Sequence, residues 1–393
     1  MQRSMRIIAF GIVAGLATTL AACSEGSGSS SGGGSAASAG DIKIGVVLDI
    51  TGAGASLGVP ERQTIEMLAE QVNAAGGVNG RKLKLYIEDN QSTEDGAAKA
   101  TSKLLNTEKV DVLIGASRTG PSLAMRPLAE KAEKPMVSLA ANQKIVDGAK
   151  WVFKTAQNDR VVLEKMVDDM KAKGITKVAV ARDASGFGEG IPEMLADIGK
   201  SAGITVVKVE KFAPDATDFT SQMTNLRASE PQAVVIWGIP PAAGLAQKAY
   251  KQLGITVPVY QSHGIGNQAF LDTAGDTANG LLAPLGRMLV ADQLKADDPQ
   301  KPVVTKFIAD FKAKYNANPS TFAGHAYDGF MITVEALKKA GTDAAKLRDA
   351  LEQTSKWPGV SGVFTMTPTD HSGLTKDALV MVTVDNKTWK VAG

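Results

Sequence analysis

Three side chains in a row, Ser117, Arg118 and Thr119, stand where the apolar run Val110 to Gly115 gives out and a helix-forming stretch begins. Two hydroxyls, a guanidinium and the unpaired amides of a helix's first turn are groups that hold an anion, because they donate hydrogen bonds and the helix dipole adds positive potential. Ser117, Thr119 and the amides around Gly120 are therefore read as holding the anionic group of a small molecule, with Arg118 adding Coulomb attraction. The alternative is a plain strand-to-helix turn with Thr119 as its N-cap.

Groups for other chemistry are sparse. His263, His325 and His371 are the only histidines, and none stands in metal-ligand spacing. Cys23 is the only cysteine, so no internal disulfide can form. Gly-x-Ser-x-Gly occurs only in a Ser/Gly-rich run, Gly28 to Gly32, and in a glycine-rich loop, Gly54 to Gly58, and there is no P-loop lysine motif. Gly52, Gly54 and Gly58 follow one β-branched run and Glu88-Asp89 ends the next, which imitates a dinucleotide fingerprint. The last glycine interval is one residue too long for that motif. The expectation is a binding protein, not an enzyme, with no cofactor and no metal.

The 393 residues carry a formal net charge of +2, traceable to Arg3 and Arg6, so neither a nucleic acid nor an anionic membrane surface is an expected partner. Those arginines precede an apolar run, Ile7 to Leu20, too short to span a bilayer, and residues 1–22 read as a signal peptide. Leu20-Ala21-Ala22-Cys23 resembles the bacterial lipobox. The resemblance implies that Cys23 is lipidated and becomes the N-terminus of a protein anchored, by its lipid alone, on the periplasmic or extracytoplasmic face of a bacterial membrane. Residues 23–40, almost all Ser, Gly and Ala, form a flexible linker.

From Asp41 the chain alternates. Strands at Asp41 to Ile50, Leu83 to Ile87, Val110 to Ile114 and Pro135 to Leu139 are separated by helices from about Pro60, Thr93 and Ser122. A similar succession starts at Lys177 to Ala181 and continues through Ile204 to Val209, Ala233 to Trp237 and Pro258 to Tyr260. Repeated βα units imply parallel sheets covered on both faces. Helices follow at about Pro302 to Tyr315, Pro319 to Lys339 and Ala344 to Gln353, then β-like segments whose last two strands close the second sheet. The reading is an α/β fold of two similar parallel-sheet lobes around a central cleft, lined by strand-end loops. Crossings fall near Ala156, Pro284 and Phe364, giving an N-terminal lobe of 41–155 plus 285–363 and a C-terminal lobe of 156–284 plus 364–393.

Ile42 to Gly45 with Thr51-Gly52, the stretch Asn73 to Gly80, Glu88 to Asn90, Phe187 to Gly190, Asp218-Phe219, Gly264 to Asn267 and Ala326 to Asp328 carry a further resemblance. The chain resembles the type I periplasmic ligand-binding proteins of branched-chain amino acid (Leu/Ile/Val) ABC transporters, in lipoprotein form. The resemblance implies three hinge crossovers, a ligand engulfed by lobe closure, a monomer, and delivery to a membrane permease with its ATPase. It assigns Thr119 to the ligand carboxylate, with Ser117 and Arg118 beside it. Ala140, Ala141 and Asn142 fall where the next loop contacts ammonium and carboxylate. Phe187 matches an aromatic contact of the second lobe, Leu57 replaces a usual aromatic, Pro240 falls where a tyrosine is expected, and Phe322 matches an aromatic at the cleft rim.

His263 occupies the position of the family's acidic ammonium partner. A buried ammonium without a carboxylate is costly, so the expected ligand is a carboxylate lacking an α-amino group, an aromatic or short aliphatic acid lying between Leu57, Phe187 and Phe322. A slipped alignment, with an acid such as Asp183 taking the ammonium, would restore an amino acid ligand. Urea or amide binding and a ligand-sensor subunit are the remaining alternatives.

Overall fold

The computed structural model describes residues 40–392. Its first sheet comprises β1 (Ile42–Leu48), β2 (Leu83–Asp89), β3 (Val112–Gly115), β4 (Met136–Ser138) and β5 (Val152–Lys154), all parallel in the order β2-β1-β3-β4-β5. Three helices connect them: α1 (Ala55–Ala74), α2 (Glu94–Lys103) and α3 (Thr119–Lys131). After α4 (Asp159–Ala172) a second parallel sheet is built from β6 (Lys177–Asp183), β7 (Thr205–Phe212), β8 (Ala233–Trp237) and β9 (Val259–Gln261), ordered β7-β6-β8-β9. Its helices are α5 (Ile191–Gly199), α6 (Thr220–Ala228), α7 (Ala242–Gln252) and α8 (Gln268–Ala274). The two sheets share one strand order, in which the first strand lies inside the second. Both central strands, β3 and β8, are buried at every residue, which is why they read as unbroken apolar runs.

The remaining elements are β10 (Ala283–Gly286), α9 (Lys301–Tyr315), α10 (Thr321–Ala340), α11 (Ala344–Glu352), the short pair β11 (Trp357–Pro358) and β12 (Val363–Phe364), then β13 (Leu379–Asp385) and β14 (Thr388–Val391). The long helix α10 packs along α1 on one face of the first sheet, in a core with Ile65, Leu68, Phe307, Phe330 and Leu337. Helices α2 and α3 cover the other face through Ala97, Ala100, Met125 and Ala129.

Three sequence expectations are corrected. The two final strands do not extend the second parallel sheet; with β10 they form a separate antiparallel sheet, β10-β13-β14, touching β9 through a single bridge between Tyr260 and Leu282. Helix α1 begins at Ala55, not Pro60, because Gly58 lets its first turn lie on the end of β1: a Cβ there would stand 2.2 Å from the Asp49 carbonyl oxygen. Helix α3 begins at Thr119 rather than Ser122, with extended Arg118 (φ −123°, ψ 162°) as N-cap, so Thr119 is its first helical residue and not its cap.

Candidate functional site

The carboxyl ends of both parallel sheets face a common cavity of about 420 Å³, a size usual for small-molecule sites. From the first lobe come Leu57 on α1, Ser117 to Pro121 at the start of α3, Leu139 to Ala141 after β4, and Phe322 and His325 on α10. Facing them are Asp183 to Phe187 after β6, Ile239 after β8, and His263-Gly264 after β9. Of the residues singled out in the sequence, Leu57, Ser117, Arg118, Thr119, Ala140, Ala141, Phe187, His263 and Phe322 line this cavity.

Asn142 and Pro240 do not line it, and both expectations are corrected. The Asn142 side chain is spent on structure: Oδ1 accepts from the Lys144 N–H at 2.9 Å, and Nδ2 donates to the Gly186 carbonyl at 3.1 Å, tying one lobe to the other. Pro240 offers no donor, and its neighbour Ile239 supplies the wall instead.

Two further roles change. Ser117 Oγ accepts from the Asp49 N–H at 3.1 Å and is bonded to Glu61, whose carboxyl is pushed well above its ordinary pKa by burial. Its hydroxyl is thereby committed inside the lobe. Arg118 turns back onto the fully buried carboxylate of Asp49 and donates to the Ser92 carbonyl at 2.5 Å, so much of its charge is already matched. Thr119 remains the free donor: its hydroxyl has no hydrogen-bond partner among the described residues, and it begins α3 beside Gly120. The opposite lobe approaches closely here, since a Cβ on Gly186 would stand 3.2 Å from Thr119 Cγ2.

One part of the cavity is apolar. Leu57, Ile239 and Phe322 form a cluster drawn from both lobes, with Phe187 packed against it. Phe187 is held by its ring contacts with Trp237 and His263, each at 5.5 Å between centroids, and by the Trp237 indole N–H, which donates to the Phe187 carbonyl at 3.1 Å.

Burial shifts the titratable groups nearby. Burial lowers His263 to about 3, helped by repulsion from His325 and Lys154, and lowers His325 likewise. Both imidazoles are thus neutral at physiological pH. His325 Nδ1 is bonded to Ser361 Oγ at 2.8 Å. Asp183 is raised by burial although its Oδ1 accepts from Ser185 N–H at 2.9 Å and Oγ at 2.6 Å. Lys154 and Asp159, both fully buried, lie behind this wall; burial pushes Lys154 down to about 8 and Asp159 up to about 7. Sequence reasoning missed this pair because it left residues 143–176 unassigned. Asn158 as N-cap followed by Val162, Leu163, Met166, Val167 and Met170 on one face was the available signal for α4.

The family description "Periplasmic binding protein" matches residues 41–388. A leucine-, isoleucine-, valine-, threonine- and alanine-binding protein of Pseudomonas aeruginosa is 29% identical over 320 residues, covering 79% of this chain and 82% of that protein. An extracellular ligand-binding receptor from Rhodopseudomonas palustris HaA2 superposes with a TM-score of 0.85 at 28% identity, covering 90% of this chain and 99% of the other. A branched-chain amino acid transporter substrate-binding protein from Streptococcus pneumoniae, solved with isoleucine, gives a TM-score of 0.79 at 25% identity over 89% and 98% of the two chains. These relatives are binding proteins rather than enzymes, and among the described residues no helix is long and apolar enough to cross a membrane. Two parallel-sheet lobes facing one cavity, and a family match along nearly all of the described chain, lead to one assignment: this chain belongs to the periplasmic binding protein family, in its branched-chain amino acid transport branch.

Proposed function

We propose that the protein captures a small carboxylate-bearing molecule without an α-amino group, an aromatic or short aliphatic acid, and presents it to the permease and ATPase of an ABC importer. The observation that carries this reading is the buried, uncharged His263 in the cavity wall, which gives an ammonium no counter-charge. The ligand carboxylate is held by the Thr119 hydroxyl and the first amides of α3, and its apolar body lies among Leu57, Phe187, Ile239 and Phe322. Lobes of residues 41–155 plus 285–363 and 156–284 plus 364–393 close over it as a monomer. Cys23, which lies outside the described residues, carries the lipid anchor on the extracytoplasmic face.

A second reading keeps the amino acid that the relatives' names describe, and Asp183 favours it as the acidic side chain in the wall of the second lobe. Calorimetric titration with benzoate, 3-methylbutanoate and leucine separates the two. Binding of either acid with no response to leucine supports the first; tight leucine binding lost in Asp183→Asn supports the second. Membrane fractionation of wild type and Cys23→Ser tests the anchor, which predicts release of the variant.

A further inference from the structure

Beneath His263 lies buried polarity that the site described so far does not use. Asp159, the first residue of α4, is fully buried, and neither carboxylate oxygen has a hydrogen-bond partner among the described residues. His263 Nε2 is 3.9 Å from its Oδ1, and the Nδ1 of the same ring is also buried and unpartnered. Lys154 acts on Asp159 through its charge, while its ammonium donates to the Ala156 carbonyl at 2.7 Å. Buried polar atoms are nearly always paired, so two orphaned carboxylate oxygens beside an orphaned ring nitrogen mark a place where a donor arrives from outside the protein.

We propose that His263, in the cleft wall, and Asp159, buried behind it, form a hydrogen-bond-accepting dyad whose missing donor is a hydroxyl of the bound molecule, so that the ligand class is a carboxylic acid that also carries a hydroxyl group. This rests on the carboxylate reading above. A small ring movement closes the 3.9 Å gap to an ordinary hydrogen bond of about 2.9 Å. Asp159 then accepts a hydrogen bond from Nε2–H, beside the Gln157 carbonyl that also draws on the ring, and leaves Nδ1 as an acceptor, the way a carboxylate fixes a histidine tautomer elsewhere. Asp159 is in this sense a positioning residue. A hydroxyl satisfies the acceptors without adding charge, whereas an ammonium would bring a second cation beside buried Lys154.

The pH dependence follows from the groups facing the dyad: Lys154 from β5, Asp183 from the end of β6, and His325 from α10. His263 and His325, both lowered to about 3, stay neutral between pH 5.5 and 7.5, and Lys154, at about 8, stays protonated. Asp159, raised to about 7, is the member of the dyad that gains a proton in this window and ceases to be an acceptor.

The test is calorimetry on the full chain with two matched pairs, benzoate with 4-hydroxybenzoate and 3-methylbutanoate with 2-hydroxy-3-methylbutanoate. The hydroxylated member of at least one pair should bind ten-fold or more tightly at pH 7.5. That ratio should fall as pH drops to 5.5 and collapse toward one in Asp159→Asn. Parent acids that bind as well as their hydroxylated partners in both pairs overturn the dyad while leaving the carboxylate reading intact. A ratio unchanged in Asp159→Asn overturns it too. If that variant fails to fold, a flat pH profile of the wild-type ratio does so instead. Binding of leucine with none of the four acids removes the carboxylate reading and the dyad with it.

Discussion

The carbonyl of Gly266 accepts two hydrogen bonds from Thr321, one from its backbone N–H at 2.9 Å and one from its hydroxyl at 3.1 Å. Gly266 follows the loop that carries His263, and Thr321 opens the helix that carries Phe322 and His325. One short contact therefore sets the distance between two walls of the cleft. A Cβ on Gly266 would stand 2.5 Å from Thr321 Cγ2. Gly266→Ala should hold the walls apart and weaken ligand binding by at least ten-fold, with a gain in radius of gyration by small-angle scattering for the ligand-loaded protein. Adding Thr321→Ser, which removes Cγ2 and keeps the hydroxyl, should restore part of the loss.

Thr119 offers a test of the anion contact that folding does not confound. Its hydroxyl has no protein partner among the described residues, so Thr119→Val removes only what the ligand would use. A hydrogen bond to a charged group contributes about 2 kcal/mol, or roughly 30-fold in affinity. Calorimetry should show that loss, and the melting temperature of the free protein should stay within a degree or two of wild type.

Arg118 should behave in the opposite way. Its guanidinium sits on Asp49, a carboxylate with no solvent exposure. Arg118→Ala leaves that charge buried and unpaired, which costs about 3–5 kcal/mol of stability. The expected readout is a lowered denaturation midpoint in urea. A variant as stable as wild type that merely binds anions less well would contradict the assignment of Arg118 as a structural partner.

The buried titratable groups pull stability in opposite directions in mild acid. Burial raises Asp159 and Asp328 to about 7 from an ordinary 3.8, so they hold protons in the folded chain that the unfolded chain has released. Their contribution is complete below about pH 4 and is lost as pH rises toward 7. His263 and His325, lowered to about 3 from 6.5, do the reverse: the unfolded chain takes up their protons first, so stability is lost as pH falls below 6.5. Asp159 and Asp328, joined by Glu61 and Asp183, which burial also raises, oppose the two histidines between pH 4.5 and 6.5. Replacing both histidines by Gln removes one side, and the midpoint of unfolding should then rise, relative to wild type, as pH falls from 6.5 to 4.5.

What the sequence revealed and what it concealed have physical reasons. Strands β3 and β8 were legible because both of their faces are covered, and Thr119, Phe187 and His263 because each sits at a strand end where a loop must open. The pairing of Arg118 with Asp49 joins residues 69 positions apart, and no local pattern announces it. Asn142 looked like a ligand contact because its residue type and loop were suitable, yet the same amide caps a turn and reaches Gly186. Gly58 looked like part of an open loop, although its missing Cβ is what lets α1 start early against Asp49.

The central claim is that the cleft accepts a carboxylate and that His263, neutral in its wall, gives an ammonium no partner. Parallel titrations of one preparation with 4-methylpentanoate and with leucine, the same carbon skeleton without and with the α-amino group, test it most directly. The account predicts micromolar or tighter binding of the acid, abolished or strongly weakened in Thr119→Val, and no measurable heat with leucine. Tight leucine binding with no response to the acid would contradict it.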